Sequence, residues 1–201
     1  MGRSEEVLET IITSIEEIGL VYLDDISIAL DCAASELYQD NSYHLAGEGK
    51  KLSSDQMVEY ITELSKKYEI KSIEDPFDEG DWDSWKKFTK LNENLQVVGD
   101  DIFVTQEEIL KKGIDENAAN SILVKLNQVG TLSETMRTIS LAKENNFGTV
   151  ISHRSGETED TFISDLAVAV DAKQIKTGAP ARSDRTAKYN RLLIIEDELY
   201  P

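Results

Sequence analysis

Apolar positions along this chain recur with two alternating periods, and the alternation predicts the elements. Ser4 opens a helix with Glu5 and Glu6 in its first turn, and Val7, Leu8, Ile11, Ile12, Ile15 and Ile18 form a stripe at helical spacing that Gly19 ends. A short apolar segment from Ile26 to Leu30 terminates in Asp31. Residues 38–51 are rich in Gly, Asn and charge and read as an inserted surface excursion, with Tyr43 and Leu45 in a small hairpin. Ser53 with Gln56 makes a capping box for a helix carrying Met57, Tyr60, Ile61 and Leu64 on one face. A strand-like run then closes on Ser72-Ile73-Glu74-Asp75-Pro76.

The same order repeats down the chain. Asp81 is expected to cap a helix whose Trp82, Trp85 and Phe88 form a packing face, and Leu95 to Gly99 leads into Asp100-Asp101. Thr105 with Glu108 reads as a capping box opening a short helix through Lys112. Ser121-Ile122-Leu123-Val124 suits a buried strand and delivers Lys125 to its end, after which a Thr131/Glu134 capping box opens a helix reaching Asn145. The run from Phe147 to Ser152 ends at His153-Arg154-Ser155, and a helix is expected from about residue 159 to 170. Gln174-Ile175 ends at Lys176-Thr177-Gly178, and a last amphipathic helix covers residues 184–199.

Six predicted strands thus end in residues able to do chemistry: Asp31, Glu74, Asp100, Lys125, His153 and Lys176, spaced by 43, 26, 25, 28 and 23 residues. One βα unit takes roughly that length, with the insertion lengthening the first gap. Such regular alternation predicts an α/β chain of parallel strands with helical crossovers, and polar residues collected at the strands' C-terminal ends mark a TIM-type (β/α) barrel site. Six units are countable where a closed barrel has eight. No linker rich in Pro, Gly or Ser divides the chain, so residues 1–201 read as one incomplete barrel domain.

Composition narrows what such a site could bind. The formal charge of −18 makes the average surface repel nucleic acid and anionic membrane, so an anionic ligand would need cations gathered locally against that background. No apolar run approaches the roughly 20 residues that span a bilayer, and no apolar signal region opens the chain. Cys32 is the only cysteine and cannot form an internal disulfide, which fits a reducing cytoplasm.

Two constellations follow. Asp31, Glu74 and Asp100 stand at successive strand ends; on adjacent strands their carboxylates would repel unless a cation joined them, and an oxygen-only set favours Mg²⁺ over zinc. Each acid could instead cap a helix or solvate a loop, and Asp75 and Asp101 are the neighbours most easily confused with the ligands. Lys125, Arg154 and Lys176 supply the local cations, and a lysine beside a metal and other cations has its pKa lowered toward that of a general base. The alternative is three exposed cations paired with surface acids. His153 alone would be read as a structural histidine. The run His153-Arg154-Ser155-Gly156-Glu157-Thr158-Glu159-Asp160, however, packs hydroxyls, a guanidinium and a glycine into a turn suited to phosphate.

Together these motifs resemble the enolase family. The resemblance is carried by Ala29-Leu30-Asp31, Ser72 to Pro76, Val98-Gly99-Asp100-Asp101, Leu123 to Thr131, Ser152 to Asp160 and Ile175-Lys176-Thr177-Gly178, and it extends over nearly the whole chain, through Arg182-Ser183-Asp184-Arg185 and Ala187-Lys188-Tyr189-Asn190. It implies a Mg²⁺-dependent hydro-lyase of glycolysis that interconverts 2-phosphoglycerate and phosphoenolpyruvate. In such a site Asp31, Glu74 and Asp100 hold the metal, with Glu74 and Asp100 also facing the substrate. Lys125 is the general base, Lys176 stabilises the substrate carboxylate, Arg154 and Ser155 hold the phosphate, and His153 lines the pocket. A lysine base working with Mg²⁺ is a general pattern of that superfamily, so the mechanism belongs to the resemblance.

The resemblance further implies a cytoplasmic homo-oligomer for the full-length protein. The family is also found on cell surfaces binding plasminogen, although Glu198-Leu199-Tyr200-Pro201 supplies no terminal lysine. The chain departs from the family in beginning after its first two barrel strands and in lacking the Gly-Asp-Glu-Gly-Gly segment whose glutamate is the proposed general acid. The expectation is little or no dehydration by this chain alone, with a non-catalytic barrel module serving as a binding scaffold as the alternative.

Overall fold

The computed structural model describes residues 3–201, which fall into two compact units. The first holds the residues up to Ile102 together with Asp115–Asn120, and the second holds Phe103–Ile114 and Ser121–Pro201.

In the first unit, α1 (Ser4–Glu17) precedes β1 (Ala29–Asp31); a three-stranded antiparallel sheet follows, made of β2 (Tyr38–Gln39), β3 (Ser42–Leu45) and β4 (Lys50–Leu52). Then come α2 (Ser54–Lys67), β5 (Ser72–Glu74), α3 (Trp82–Leu91) and β6 (Gln96–Gly99). The strands β1, β5 and β6 are parallel neighbours, with Leu30 opposite Ile73 and Ile73 opposite Val97. Ile73 and Val97 are wholly buried, as expected of strands covered on both faces. The stripe on α1 is only partly used: Leu8 and Ile15 are buried, while Val7, Ile11 and Ile18 lie open to solvent.

Capping chemistry accounts for where α2 begins. Ser53 accepts the Gln56 N–H while the Gln56 side chain accepts the Ser53 N–H, the reciprocal box expected from the sequence. Asp81 precedes α3 but does a different job. Its Oδ2 accepts hydroxyls from Tyr43 at 2.8 Å, Ser54 at 2.7 Å and Ser84 at 2.9 Å, and its side chain caps no backbone N–H. The insertion is therefore anchored and not merely a surface excursion, because Tyr43 is fully buried. Its ring meets Phe77, which packs edge-on against Trp85 and Phe88.

The start of β6 is held by a side chain. Asn120 Oδ1 accepts the Val97 N–H at 2.8 Å and its Nδ2 donates to the Leu95 carbonyl at 2.7 Å, while its own N–H donates to the Val97 carbonyl. One residue thus satisfies three backbone groups where the strand begins.

The second unit runs through α4 (Glu107–Glu116, whose last two residues belong to the first unit), β7 (Ser121–Val124), the single turn α5 (Leu126–Val129) and α6 (Leu132–Glu144). It continues with β8 (Gly148–Ser152), α7 (Phe162–Ala169), β9 (Gln174–Lys176) and α8 (Ser183–Leu199). The strands β7, β8 and β9 are parallel, with Val124 opposite Ile151 and Ser152 opposite Lys176. Ile122, Leu123, Val124 and Ile151 are wholly buried, so the run read from sequence as a buried strand is one.

The start of α4 differs from expectation. The helix begins at Glu107 and extends past Lys112 to Glu116, while Val104 and Thr105 before it adopt left-handed backbone angles, with φ of 43° and 58°. Successive β-branched residues rarely take that conformation, which costs about 1–3 kcal/mol each and persists only where tertiary bonds offset it. The Thr105 hydroxyl is committed to such bonds, described below. Six parallel strands, three in each unit, alternate with helices, which is an α/β chain with six of the eight βα units of a (β/α) barrel. Among the described residues no helix is long and apolar enough to cross a membrane.

Candidate active site

Strand register positions the acids of the first unit. Asp31 ends β1 directly opposite Glu74, which ends β5, and Asp100 follows β6. Glu74 and Asp100 are buried and Asp31 is exposed. The backbone beyond the strands is laced in the same order: Cys32 N–H donates to Glu74 O, Ala34 N–H to Asp75 O and Asp75 N–H to Val98 O.

Asp75 turns away from the strand path with φ of 43°, and its carboxylate accepts the Asp100 N–H on one oxygen and the Asp101 N–H on the other, each at 2.9 Å. Burial pushes its pKa up to about 7; these two amide bonds act against the rise, and the Asp100 and Asp101 charges add to it. Oxygens of Asp75, Asp100 and Asp101 lie within 4.8 Å of one another. The Cys32 thiol reports the same negative field, pushed up to about 12 by burial and then by Asp31, Asp75 and Glu74. An all-oxygen set of crowded carboxylates has the chemistry of a hard divalent cation site, since a cation would relieve the repulsion that raises Asp75. Asp75 itself already spends both oxygens on backbone amides and reads as a brace for Asp100 and Asp101.

The cations belong to the second unit. Lys125 follows β7, half-buried with extended backbone, and its N–H donates to Thr105 Oγ1 at 3.0 Å. The Thr105 hydroxyl donates in turn to Gln128 Oε1 at 2.6 Å, and the Thr105 carbonyl accepts the Thr138 hydroxyl at 2.8 Å. Beyond β8, the His153 N–H donates to the Lys176 carbonyl at 3.0 Å, tying two predicted site residues together across β8 and β9. The Arg154 guanidinium reaches Asn127 Oδ1 at 2.7 Å, two residues past Lys125, and Ser155 beside it is exposed.

Burial lowers the His153 pKa, and the Arg185, Lys176 and Lys188 charges lower it further against the opposing pull of Glu157, which favours the neutral ring. Its Nδ1 is buried with no hydrogen-bond partner. A neutral ring among cations suits a wall that faces an anion.

Within each unit the structure brings the expected residues to one set of strand ends. Three supporting residues were not singled out from sequence as parts of the site. Asp75 was visible only as a rival ligand, Thr105 was disguised by a Thr-x-x-Glu spacing that mimics a cap, and Lys188 stood in a segment carrying the resemblance without a role in the site. The signal for Lys188 was its spacing, since it shares a helical face with the buried Ile195.

A parallel βα chain with carboxylates at the ends of three strands and cations at the ends of three more has the layout of a (β/α) barrel, a class in which functional residues gather at the strands' C-terminal ends. Residues 1–200 match the family described as enolase, C-terminal TIM barrel domain, and the chain belongs to that family. It is 56% identical over 201 residues, all of this chain, to the enolase of Natranaerobius thermophilus, covering 47% of that protein. The chain thus spans about half the length of the curated relative it matches.

Proposed function

We propose that the chain serves the Mg²⁺-dependent dehydration of 2-phosphoglycerate to phosphoenolpyruvate, the glycolytic hydro-lyase step, in a cytoplasmic and homo-oligomeric setting. The observation that supports this most is the strand register of the first unit, which sets Asp31 opposite Glu74 with Asp100 after the next strand. Asp31, Glu74 and Asp100 would hold the metal. When bound, Mg²⁺ supplies fixed positive charge toward a substrate carboxylate, which makes the neighbouring proton more acidic.

Lys125 Nζ removes the C2 proton. Its backbone is fixed by Thr105, so the flexible stem starts from a set position. Lys176 holds the carboxylate as charge develops on it, Arg154 and Ser155 hold the phosphate, and neutral His153 lines the pocket without competing for the proton. These residues account for proton abstraction, and none of them is given the role of protonating the departing hydroxide.

The test separates the two halves of the reaction. The purified chain, given Mg²⁺ and 2-phosphoglycerate in D₂O, is expected to exchange the C2 hydrogen, read by NMR, while forming little phosphoenolpyruvate. Lys125→Ala should abolish the exchange, and Asp100→Ala should weaken the calorimetric Mg²⁺ signal. Exchange that survives Lys125→Ala, or Mg²⁺ binding unchanged by Asp100→Ala, refutes the assignment.

A further inference from the structure

The turn carrying Arg154 and Ser155 is exposed and lies between β8 and α7, with no strand or helix of its own from His153 to Asp160. One buried cation reaches it from α8. The Lys188 side chain is 1% exposed, in a chain where most lysines lie on the surface. Its ammonium donates to the Thr158 carbonyl and, at 2.6 Å, to the Asp184 carbonyl, and it lies 3.7 Å from Glu157 Oε1. Glu157 completes the connection: its carboxylate accepts the Arg154 N–H at 3.3 Å and the Thr158 N–H at 2.9 Å. The Ser164 hydroxyl, fully buried on α7, donates to the Lys188 carbonyl at 2.9 Å, so the base of the lysine is held as well as its tip.

Burying an ammonium carries a desolvation cost of several kcal/mol unless acceptors compensate it, and every acceptor here bears on the turn or on the first turn of α8. A methionine or leucine would fill the same space without that cost. The charge therefore does something packing alone does not need.

We infer that Lys188 is a positioning residue for anion binding: through Glu157 and the Thr158 carbonyl it fixes the turn that presents Arg154 and Ser155. The inference rests on the proposed role of Arg154 and Ser155 as phosphate holders. It assigns the connection to a particular pair, a buried cation on α8 and a half-buried acid in the turn.

Calorimetric titration of the chain with inorganic phosphate and with 2-phosphoglycerate tests it, using Arg154→Ala, Lys188→Met and Glu157→Gln, together with amide exchange of Arg154, Thr158 and the β8 residues. Lys188→Met and Glu157→Gln should each weaken binding about tenfold, the worth of one hydrogen bond to a charged group, and should speed exchange at Arg154 and Thr158 while leaving β8 protected. The double variant should cost no more than either single one, because both break one connection.

If Arg154→Ala weakens binding but Lys188→Met and Glu157→Gln stay within about twofold of the parent chain, the positioning role is wrong and the phosphate reading stands. If the parent chain does not bind, or Arg154→Ala binds as well as the parent, both fail. Should Lys188→Met lose β8 protection as well, Glu157→Gln decides alone, since it keeps the shape of the turn and removes only the charge.

Discussion

Thr105 offers the sharpest test of how the second unit holds its base. Thr105→Val keeps the volume and the β-branch, so the packing and the cost of the left-handed φ stay as they are, and only the hydroxyl is lost. Three consequences follow from the geometry. The Lys125 N–H loses the acceptor at 3.0 Å, Gln128 Oε1 loses the donor at 2.6 Å, and the wholly buried Thr105 side chain leaves an apolar methyl where the hydroxyl stood. Losing a hydrogen bond at a partly buried donor costs about 1–3 kcal/mol, and Gln128, also half-buried, can turn to solvent, which places the total near 2 kcal/mol. For a chain of this size that is a fall in melting temperature of about 4–8 °C.

The assay is thermal and urea unfolding of the parent chain, Thr105→Val and Thr105→Ser, with C2 hydrogen exchange measured on each. Serine keeps the hydroxyl and should stay closer to the parent in both readouts. Valine should lower the exchange rate beyond its loss of stability, because the Lys125 backbone is no longer fixed. A Thr105→Val chain within about 0.5 kcal/mol of the parent would show that the hydroxyl bonds are replaceable and would refute the reasoning.

Two further outcomes are expected. Gly113→Ala, normally worth about 1 kcal/mol of helix stability, should instead destabilise by roughly 1–2 kcal/mol, because its Cβ would lie 2.3 Å from a ring atom of the buried Phe103; a more stable variant in urea melts would show that the ring moves freely. Burial would raise Glu48, but hydrogen bonds from Lys50, Tyr60 and Ser4 outweigh it and hold the carboxyl at about 2, below its ordinary 4.5. The stability this gives is present above pH 4.5 and lost as pH falls toward 2. Full linkage would be about 3 kcal/mol, and screening through the half-exposed Lys50 reduces it to about 1 kcal/mol. The parent chain and Glu48→Gln should therefore converge in melting temperature across that window; a constant gap down to the acid end would count against the ion pair.

Strand ends were legible in the sequence because parallel strands covered on both faces read as short apolar runs, and the residue after each run stands out by its polarity. Glu74, Asp100, Lys125 and His153 follow that rule, whereas β1 and β9 are exposed or half-exposed, and Asp31 and Lys176 were found from their place in the repeat. What was not legible depends on contacts between distant residues. Thr105 matched the local spacing of a cap, yet its hydroxyl is claimed by a backbone N–H twenty residues on. Asp81 stood at a helix start as an N-cap should, but three hydroxyls compete for it, one of them on the insertion. Tyr43 looked like part of a polar surface run until its ring met Phe77. Periodicity carries burial, and it carries nothing about which buried polar group will meet which.

The carboxamide of Asn120 gives the first unit a chemical weak point. It works as a donor on one side and an acceptor on the other, so the two roles depend on one nitrogen and one oxygen staying distinct. Spontaneous hydrolysis of that side chain to a carboxylate, the ordinary ageing reaction of asparagine, would leave an acceptor facing the Leu95 carbonyl and a new negative charge beside β6. The strand that leads to Asp100 would then be repelled at its starting end. An alteration of almost no mass, far along the chain from any acid of the site, could loosen the site's geometry.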